Sequence, residues 1–226
     1  MRAGVLFSGG KDSCLALHIA KESYDEICLL TAIPKNPHSY MFHTPNIELT
    51  KIQAQALEMP QIVKETCGEK EVELKDLKEL ILDAKKRFKI RVVVSGAIAS
   101  NYQAKRIERI CEELKLKTFN PLWGMPQQKV LEEVIKRKFE VVIIGVSAYP
   151  LDASWLGRKI DIKLVEELKK LEESHGINAC GEGGEFETLV LDAPLFKKRV
   201  EITEFEKYFD KDHGVLKVKS AKLVEK

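Results

Sequence analysis

The sequence predicts an α/β protein: a doubly wound, five-stranded parallel sheet of the Rossmann-like kind, followed by a second, smaller α+β domain. Three observations support this prediction. Apolar runs alternate with helical patterns five times over residues 1–122, and each connection is long enough for a crossover helix. The runs are continuously apolar, which is typical of parallel strands buried on both faces. The alternation then stops, so we divide the chain into domains at 1–122 and 123–226.

Apolar spacing and chain breaks set the individual elements. Continuous apolar runs predict first-domain strands at 4–7, 26–33, 61–66, 91–96 and 117–121. Apolar residues at helical spacing predict the helices at 14–20, 47–57, 71–88 and 101–116. In the second domain, the same criteria predict helices at 128–138 and 160–175, and strands at 141–146, 188–194, 199–202 and 215–224. The segments 147–158 and 176–187 are predicted to be irregular.

The composition argues against several classes of protein. The net charge of the 226 residues is only +2, so no general basic field attracts nucleic acid, and we expect no stable nucleic-acid binding. No apolar run approaches the roughly 18 residues of a membrane span. The first strand begins almost at Met1, which leaves no room for a signal peptide. The five cysteines include no C-x-x-C pair, which argues against a zinc site or a disulfide framework. We therefore expect a cytoplasmic protein without a membrane partner.

A glycine-rich motif, S-G-G-K-D-S at residues 8–13, lies between the first strand and the first helix. The first N–H groups of a helix have no intrahelical partner and favour an anion, and adjacent glycines allow it to approach closely. The spacing is not that of a Walker A motif, because the glycines are adjacent and an aspartate follows the lysine. The alternative is a plain strand-to-helix turn with a surface lysine. The motif predicts an anion site formed by Ser8, Gly9, Gly10, Lys11, Asp12 and Ser13.

A second dense cluster, G-E-G-G-E-F-E-T, occupies residues 181–188. Its three glutamates lie within six residues and repel each other unless they meet a cation, a metal or a polar substrate. Its glycines allow a ligand to approach closely. A solvated acidic turn leading into a strand is the alternative, and the spacing does not decide between the two.

Five segments of the chain, including these two clusters, resemble known enzymes. The S-G-G-K-D-S loop resembles the loop of the ATP pyrophosphatases, the PP-loop superfamily with an adenine nucleotide alpha-hydrolase-like fold. The segments S-Y-M-F-H-T-P-N at 39–46, G-A-I-A-S-N-Y-Q-A-K-R-I-E-R-I-C-E-E-L at 96–114, P-L-W at 121–123 and G-E-G-G-E-F-E-T-L-V-L-D-A-P-L-F at 181–196 are similar to the diphthine–ammonia ligases. The last segment is the discriminating one, because many AMP-forming enzymes share the phosphate loop.

This resemblance implies a reaction. Diphthine–ammonia ligases use ATP and ammonium to amidate the diphthine carboxylate on translation elongation factor 2, releasing AMP and pyrophosphate. The implied cofactors are ATP and Mg²⁺, with Asp12 as a candidate Mg²⁺ ligand. The implied partner is the diphthine-bearing elongation factor, and a homodimer is one open arrangement of the protein itself.

The resemblance also implies site residues. As catalytic residues it implies Lys11, Asp12, Glu182 and Glu185. In addition to the phosphate loop, it implies nucleotide contacts at Ala32, Gly96 and Ala97. Substrate contacts are implied at His43, Asn46, Tyr102, Gln103, Arg106, Trp123, Gly181, Glu182, Gly183, Gly184, Glu185 and Thr188.

Simpler interpretations of some of these residues remain open. Trp123 is equally consistent with core packing, Tyr102 and Gln103 with a helix start, and Arg106 with a surface ion pair. Cys180 adjoins the second cluster, but an acyl-adenylate route needs no thiol nucleophile.

Two other functions share the phosphate loop. One is a tRNA-modifying ATP pyrophosphatase that adenylates a base, which would predict a basic appendage or a sulfur-delivering cysteine pair. The run Lys197-Lys198-Arg199 is too short for such an appendage. The other is a non-catalytic sensor that only binds ATP.

Overall fold

The computed structural model describes residues 1–35, 45–66 and 72–226. The candidate residue His43 lies outside the described residues. The chain divides into two compact units, Met1–Gly124 and Met125–Lys226. Each unit has a sheet of its own.

The first unit contains a parallel sheet of five strands. Its strand order is β3-β2-β1-β4-β5, and every neighbouring pair is parallel. The strands are β1 (Arg2–Leu6), β2 (Glu26–Pro34), β3 (Gln61–Thr66), β4 (Val92–Val94) and β5 (Lys117–Phe119). This order confirms the predicted doubly wound sheet. Because β1 lies between β2 and β4, the sheet changes direction directly after β1, where such sheets bind ligands.

Helices connect these strands. They are α1 (Lys11–Lys21), α2 (Thr50–Leu57), α3 (Val72–Phe88) and α4 (Asn101–Glu113), and a 3-10 turn at Ile47–Leu49 leads into α2. The apolar stripe of α3, including Leu77, Ile81 and Ala84, is at most 1% exposed and belongs to the core beside Val93 of β4. Amphipathic spacing therefore predicted the correct face of α3.

The second unit has an antiparallel sheet of four strands in the order β7-β6-β9-β8. Its elements are α5 (Gln127–Lys136), β6 (Glu140–Val146), α6 (Ile162–His175), β7 (Phe186–Asp192), β8 (Arg199–Asp210) and β9 (His213–Val224). This arrangement confirms a smaller α+β region.

Two predictions for the second unit were wrong in detail. Strand β8 continues to Asp210, eight residues beyond the predicted end at 202. Residues 203–210 are all exposed, so they lack the half-buried alternation that marks a strand in a sequence. Pairing with β9 in a long hairpin maintains their conformation. The predicted loop at 147–158 also contains a 3-10 turn, Ala153–Trp155, which Asp152 caps through a 2.8 Å bond from the Ser154 N–H.

Across the described parts of the chain, none of the helices combines the length and the apolar character that crossing a membrane requires.

Candidate functional site

The loop after β1 ends in the first turn of α1. Gly10 is the N-cap residue, with φ −80° and ψ 170°, and no side chain caps the helix. The first regular helical bond runs from the Cys14 N–H to the Gly10 carbonyl, at 3.1 Å. α1 therefore begins three residues earlier than the predicted residue 14. The N–H groups of its first turn lie at the end of the helix where the dipole favours an anion.

Gly9 adopts a backbone conformation that favours glycine, with φ +79°. A Cβ at this position would lie 2.1 Å from Oε1 of Gln53, so the side chain of Gln53 occupies the space. Gln53 is fully buried, and its Nε2 donates to the Gly9 carbonyl at 3.0 Å. Conformation and packing both require glycine here.

Gly96 follows β4 and packs against the start of α1. A Cβ at Gly96 would lie 2.8 Å from the carbonyl carbon of Asp12 and 2.9 Å from the Ser13 nitrogen. The structure thus brings Gly96, a predicted nucleotide contact, directly to the phosphate loop. The neighbouring Ala97 is buried, and its N–H donates to the Ser95 hydroxyl at 3.4 Å.

The base of the loop is fixed by β2. The Thr31 hydroxyl donates to the Phe7 carbonyl at 2.8 Å, and the Phe7 N–H donates to the Leu30 carbonyl, also at 2.8 Å. Ala32, a predicted nucleotide contact, is the next residue of β2 and pairs with Lys64 of β3. Ala32 therefore lies beside the strand residues that support the loop.

The two loop hydroxyls close the turn. The Ser8 N–H and the Ser8 hydroxyl both donate to Ser13 Oγ, at 3.3 and 3.2 Å, and the Ser13 hydroxyl donates to the Gly10 carbonyl at 3.1 Å. These bonds fold residues 8–13 into a compact cradle.

Lys11 and Asp12 form an ion pair within the loop. Nζ of Lys11 lies 2.9 Å from Oδ2 of Asp12, and Lys11 is only 3% exposed. The other oxygen, Oδ1 of Asp12, is buried and has no hydrogen-bond partner within the described residues. A buried carboxylate oxygen without a partner is costly unless a ligand compensates for its lost hydration.

A magnesium ion fits this oxygen only in company with a nucleotide. In the part of the chain that the structure describes, no three His, Cys, Asp or Glu side chains cluster closely enough to hold a metal. Mg²⁺ commonly binds to one or two carboxylates together with substrate phosphates. Asp12 can supply one such ligand, and phosphates would supply others.

The cysteines that the structure describes are buried in both units. Cys14 is fully buried in α1, and its burial raises the pKa of the thiol far above the ordinary value. Burial likewise raises the pKa values of Cys28 and Cys111 to about 12. Cys180 is also fully buried. These four cysteines are buried and form no disulfide within the described residues, and Cys67 lies outside them.

The start of α4 holds three predicted substrate contacts. Ser100 caps the helix and accepts a 3.4 Å bond from the Gln103 N–H. The Arg106 guanidinium lies over the Tyr102 ring, 3.5 Å from its centroid, and donates to the Tyr102 carbonyl at 3.4 Å. Arg106 is thus stacked on Tyr102, and Tyr102 and Gln103 do lie in the first turn of a helix.

Two further candidates lie in turns of the first unit. Trp123 is 43% exposed, so the alternative of core packing was wrong. Asn46 is left-handed, with φ +57°, and its carbonyl accepts a 2.9 Å bond from the Leu49 N–H. Asn46 therefore starts the 3-10 turn before α2.

In the second unit, the glycine–glutamate loop is closed by its own side chains. Oδ1 of Asn178 accepts the Cys180 N–H at 2.9 Å, and Oε1 of Glu185 accepts the Asn178 N–H at 3.0 Å. The Glu185 carbonyl accepts the Ser147 N–H at 2.8 Å, which joins the loop to the end of β6. Oε2 of Glu185 is buried without a hydrogen-bond partner among the residues described.

Glycines give this loop its shape. Gly181 and Gly184 have φ values of +74° and +90°. A Cβ at Gly181 would lie 2.9 Å from the Phe186 carbonyl oxygen. Gly183 and Gly184 are exposed, Glu182 is half-buried, and Thr188 is buried in β7.

Three residues that hold these loops were not predicted from the sequence: Gln53, Thr31 and Asn178. Gln53 carried the clearest signal, because it lies in the stripe of α2 that also contains Thr50, Ala54 and Leu57, all of them buried. An amide in an otherwise buried helical stripe usually has a hydrogen-bond partner, and here that partner is the phosphate loop.

A parallel sheet with a glycine loop at its switch point defines the class of α/β proteins that bind phosphate-bearing ligands. Within this class, two family models match: the diphthamide synthase N-terminal domain over residues 1–118 and the diphthamide synthase C-terminal domain over residues 126–224. The chain belongs to the diphthamide synthase family, as the motifs predicted.

Curated relatives carry a single name, diphthine–ammonia ligase. The protein from Rattus norvegicus is 34% identical, over 91% of this chain and 84% of its own length, and the protein from Homo sapiens is 32% identical over the same shares. The Saccharomyces cerevisiae relative is 31% identical over 87% of this chain but only 34% of its own length. The family therefore identifies an ATP-dependent ligase that forms a C–N bond in diphthamide synthesis.

A solved structure from Methanocaldococcus jannaschii, a predicted subunit of tRNA methyltransferase, is 17% identical and covers 85% of this chain and 99% of that chain. Its TM-score of 0.41 is too low to support an inference.

Proposed function

We propose that this protein amidates the diphthine carboxylate of translation elongation factor 2 through an acyl-adenylate, using ATP and ammonium and releasing AMP and pyrophosphate. The observation that carries the proposal is the geometry of residues 8–13. There, Gly9, which has no room for a side chain, and a buried lysine lie at the uncapped start of α1. Family membership supports the same reaction.

In this proposal the loop holds the two outer phosphates of ATP. N–H groups at the start of α1 donate to the phosphate oxygens, while the hydroxyls of Ser8 and Ser13, which donate within the loop, keep it folded around them. A Cβ at Gly96 would lie only 2.8 Å from the Asp12 carbonyl carbon, so the end of β4 borders the loop, which supports a role for Gly96 and Ala97 beside the ribose or the inner phosphate.

Adenylation explains why the site needs these groups. A carboxylate is a poor acyl donor because it would have to expel an oxide. Attack of the carboxylate on the α-phosphate forms a new O–P bond and releases pyrophosphate, and ammonia then displaces AMP, a good leaving group. Negative charge grows on the departing pyrophosphate, where donors fixed in advance stabilise it at little reorganisation cost.

Lys11 and Asp12 have different electrostatic roles: Lys11 acts on the phosphates and Asp12 on a Mg²⁺ ion. The Lys11 ammonium is buried and held 2.9 Å from Asp12, so it is desolvated before ATP arrives and acts strongly on phosphate charge. Oδ1 of Asp12 would help hold a Mg²⁺ ion, which when bound neutralises charge on the phosphates.

The glycine–glutamate loop is the proposed contact for diphthine. Diphthine carries a quaternary ammonium, which carboxylates and aromatic faces bind. Glu185 supports this role because its Oε2 is buried and has no partner in the described structure, while its Oε1 is fixed by Asn178. The exposed ring of Trp123 is a second candidate. Tyr102 is a weaker one, since Arg106 already covers a face of its ring.

The decisive assay supplies ATP and ammonium with either diphthine-bearing elongation factor or bulk tRNA. We expect AMP and pyrophosphate only with the elongation factor, together with the small mass loss that accompanies replacement of a hydroxyl by an amine. Products with tRNA alone would favour the base-adenylating alternative. ATP binding without AMP would favour the sensor, and ADP with orthophosphate would contradict the adenylate. Glutamine in place of ammonium tests whether free ammonium is the donor.

A further inference from the structure

We propose that Gln53 is a positioning residue that sets the direction of the Gly9–Gly10 peptide, so that the phosphate loop presents an N–H group to its ligand. This inference rests on the proposed function in one respect: the ligand is taken to be the outer phosphates of ATP. Gln53 lies 44 residues from Gly9 in sequence and in none of the motifs discussed above.

The contact between them is direct and buried. Nε2 of Gln53 donates to the Gly9 carbonyl at 3.0 Å, and Gln53 has no exposed surface. A carbonyl oxygen only accepts hydrogen bonds, so the contact fixes which end of the Gln53 amide faces Gly9, and it fixes the direction of the Gly9 carbonyl.

Peptide geometry passes this constraint on to Gly10. In a planar trans peptide, the carbonyl of one residue and the N–H of the next point in opposite directions. Because Gln53 holds the Gly9 carbonyl on its own side, the Gly10 N–H must point to the other side of the loop. Gly10 is the N-cap residue of α1, so this N–H joins the donors of the helix start.

Glycine makes such an anchor necessary. Two consecutive glycines have few steric limits on φ and ψ, so the peptide between them can rotate more readily than any other in the loop. A reversed peptide would point its carbonyl oxygen at the phosphates and repel them. Holding the carbonyl through a hydrogen bond suppresses that orientation.

Helix α2 makes Gln53 a rigid anchor. The helix covers only Thr50–Leu57, but Ala54, Ala56 and Leu57 are buried, and the Thr50 hydroxyl donates to the Ile47 carbonyl at 2.7 Å. The side chain therefore extends from a fixed backbone. The adjacent Gln55 is exposed and offers a matched control on the same helix.

The test uses the full chain with Gln53→Met, which keeps the length of the side chain but removes its donor, and with Gln55→Met as control. Calorimetry should give an ATP dissociation constant about tenfold higher for Gln53→Met, the worth of one buried hydrogen bond. Pyrophosphate affinity should fall by a similar factor. AMP, which lacks the two outer phosphates, should bind as it does to the wild type. Gln55→Met should leave all three affinities unchanged.

A merely structural role for Gln53 would weaken ATP and AMP equally, and that result would overturn the inference, as would unchanged ATP affinity. If the wild-type protein bound no ATP at all, the proposed function would fail first, and this inference with it. Hydrogen exchange of the wild type covers the case in which Gln53→Met does not fold. Pyrophosphate should then slow exchange at the Gly10 N–H, and unchanged exchange there would equally refute the proposal.

Discussion

Two glycine-rich loops, one in each unit, use glycine for different ends. In the first unit, glycines let neighbouring elements approach the loop at residues 8–13: the Gln53 side chain of α2 reaches Gly9, and Gly96, which follows β4, packs against the start of α1. At residues 181–185 the glycines let the loop turn back on itself, so that Asn178 and Glu185 can close it. The first loop thus depends on distant residues in addition to the bonds between its own serines, whereas the second depends mainly on bonds within its own segment.

The charges of the two loops follow the same division. The first places a buried lysine at the positive end of a helix, an arrangement that suits an anion. The second buries a carboxylate oxygen at the start of a strand, an arrangement that suits a cation. General chemistry therefore predicts the ligand of the first loop from sequence. For the second, family resemblance was needed.

The largest expected effect tests the anion loop. Replacing Lys11 with alanine should slow pyrophosphate release about 100- to 1,000-fold, as loss of one preorganised charge-stabilising group does in other enzymes. The matched control is Lys21→Ala, at the exposed end of the same helix, and it should retain the wild-type rate. Single-turnover release of labelled pyrophosphate measures both. A normal rate with Lys11→Ala would refute the assignment of the loop.

The internal support of the second loop predicts a contrast between two of its glycines. Gly181→Ala should lower the free energy of unfolding by about 3 kcal/mol, because it combines left-handed strain with a backbone clash at the Phe186 carbonyl. Gly184→Ala, with φ +90° but open space around it, should cost only about 1 kcal/mol. Urea denaturation gives the free energy of unfolding of both variants. Equal values would show that the Phe186 carbonyl does not restrict position 181.

The sheet that carries the second loop should be sensitive to acid. Oε2 and Oε1 of Glu140 accept bonds of 2.6 and 2.8 Å from Arg199, and Lys159 lies 2.5 Å from Oε1. The Arg199 hydrogen bonds, aided by Lys159, lower the Glu140 pKa from 4.5 to about 2. A lowered pKa in the folded state means that this contribution is complete above pH 4.5 and is lost as the pH falls towards 2.

Glu140→Gln should accordingly reduce stability by about 2 kcal/mol at neutral pH, with allowance for partial solvent screening. The difference from the wild type should disappear near pH 2. Denaturation curves across this range measure the effect, and hydrogen exchange should locate it in β6 and β8 rather than in β1 and β4. A difference that stays constant with pH would exclude the ion pair as its cause.

The smallest expected effect concerns the cation-binding role of the second loop. Glu185→Gln keeps an acceptor for the Asn178 N–H but removes the charge, so KM for the diphthine-bearing factor should rise about tenfold while ATP affinity is unchanged. Glu166→Gln, on the exposed face of α6, is the control. A fall in ATP affinity with Glu185→Gln would argue against separate roles for the two loops.

How far the sequence could predict this structure depended on burial. Strand β3 was predicted at 61–66, and the structure has it at Gln61–Thr66. The prediction was correct because the residues on either side end the strand pattern sharply. Strand β8 was cut short at 202 because its outer half is exposed and leaves no apolar pattern to detect. Patterns report what is buried, so elements held only by backbone pairing are missed.

The candidate site shows the same limit. The prediction of an anion site at residues 8–13 rests on local chemistry, because the glycines, the lysine and the helix start lie within six residues. The residues that support this loop could not be predicted, because Gln53 and Gly96 reach it only through tertiary packing. The stacking of Arg106 on Tyr102 was not predicted, because helical spacing brings Arg106 close to both Tyr102 and Gln103 and does not decide between them.

Cys14 offers a built-in reporter of the phosphate loop. It forms the first regular bond of α1 with Gly10 and is completely buried, so its thiol is inert towards alkylating reagents while the helix start stays folded. The rate at which Cys14 is alkylated, followed by peptide mass spectrometry, therefore measures how often the start of α1 unfolds locally and exposes the thiol. This measurement uses a cysteine of the natural sequence, so it needs no engineered residue.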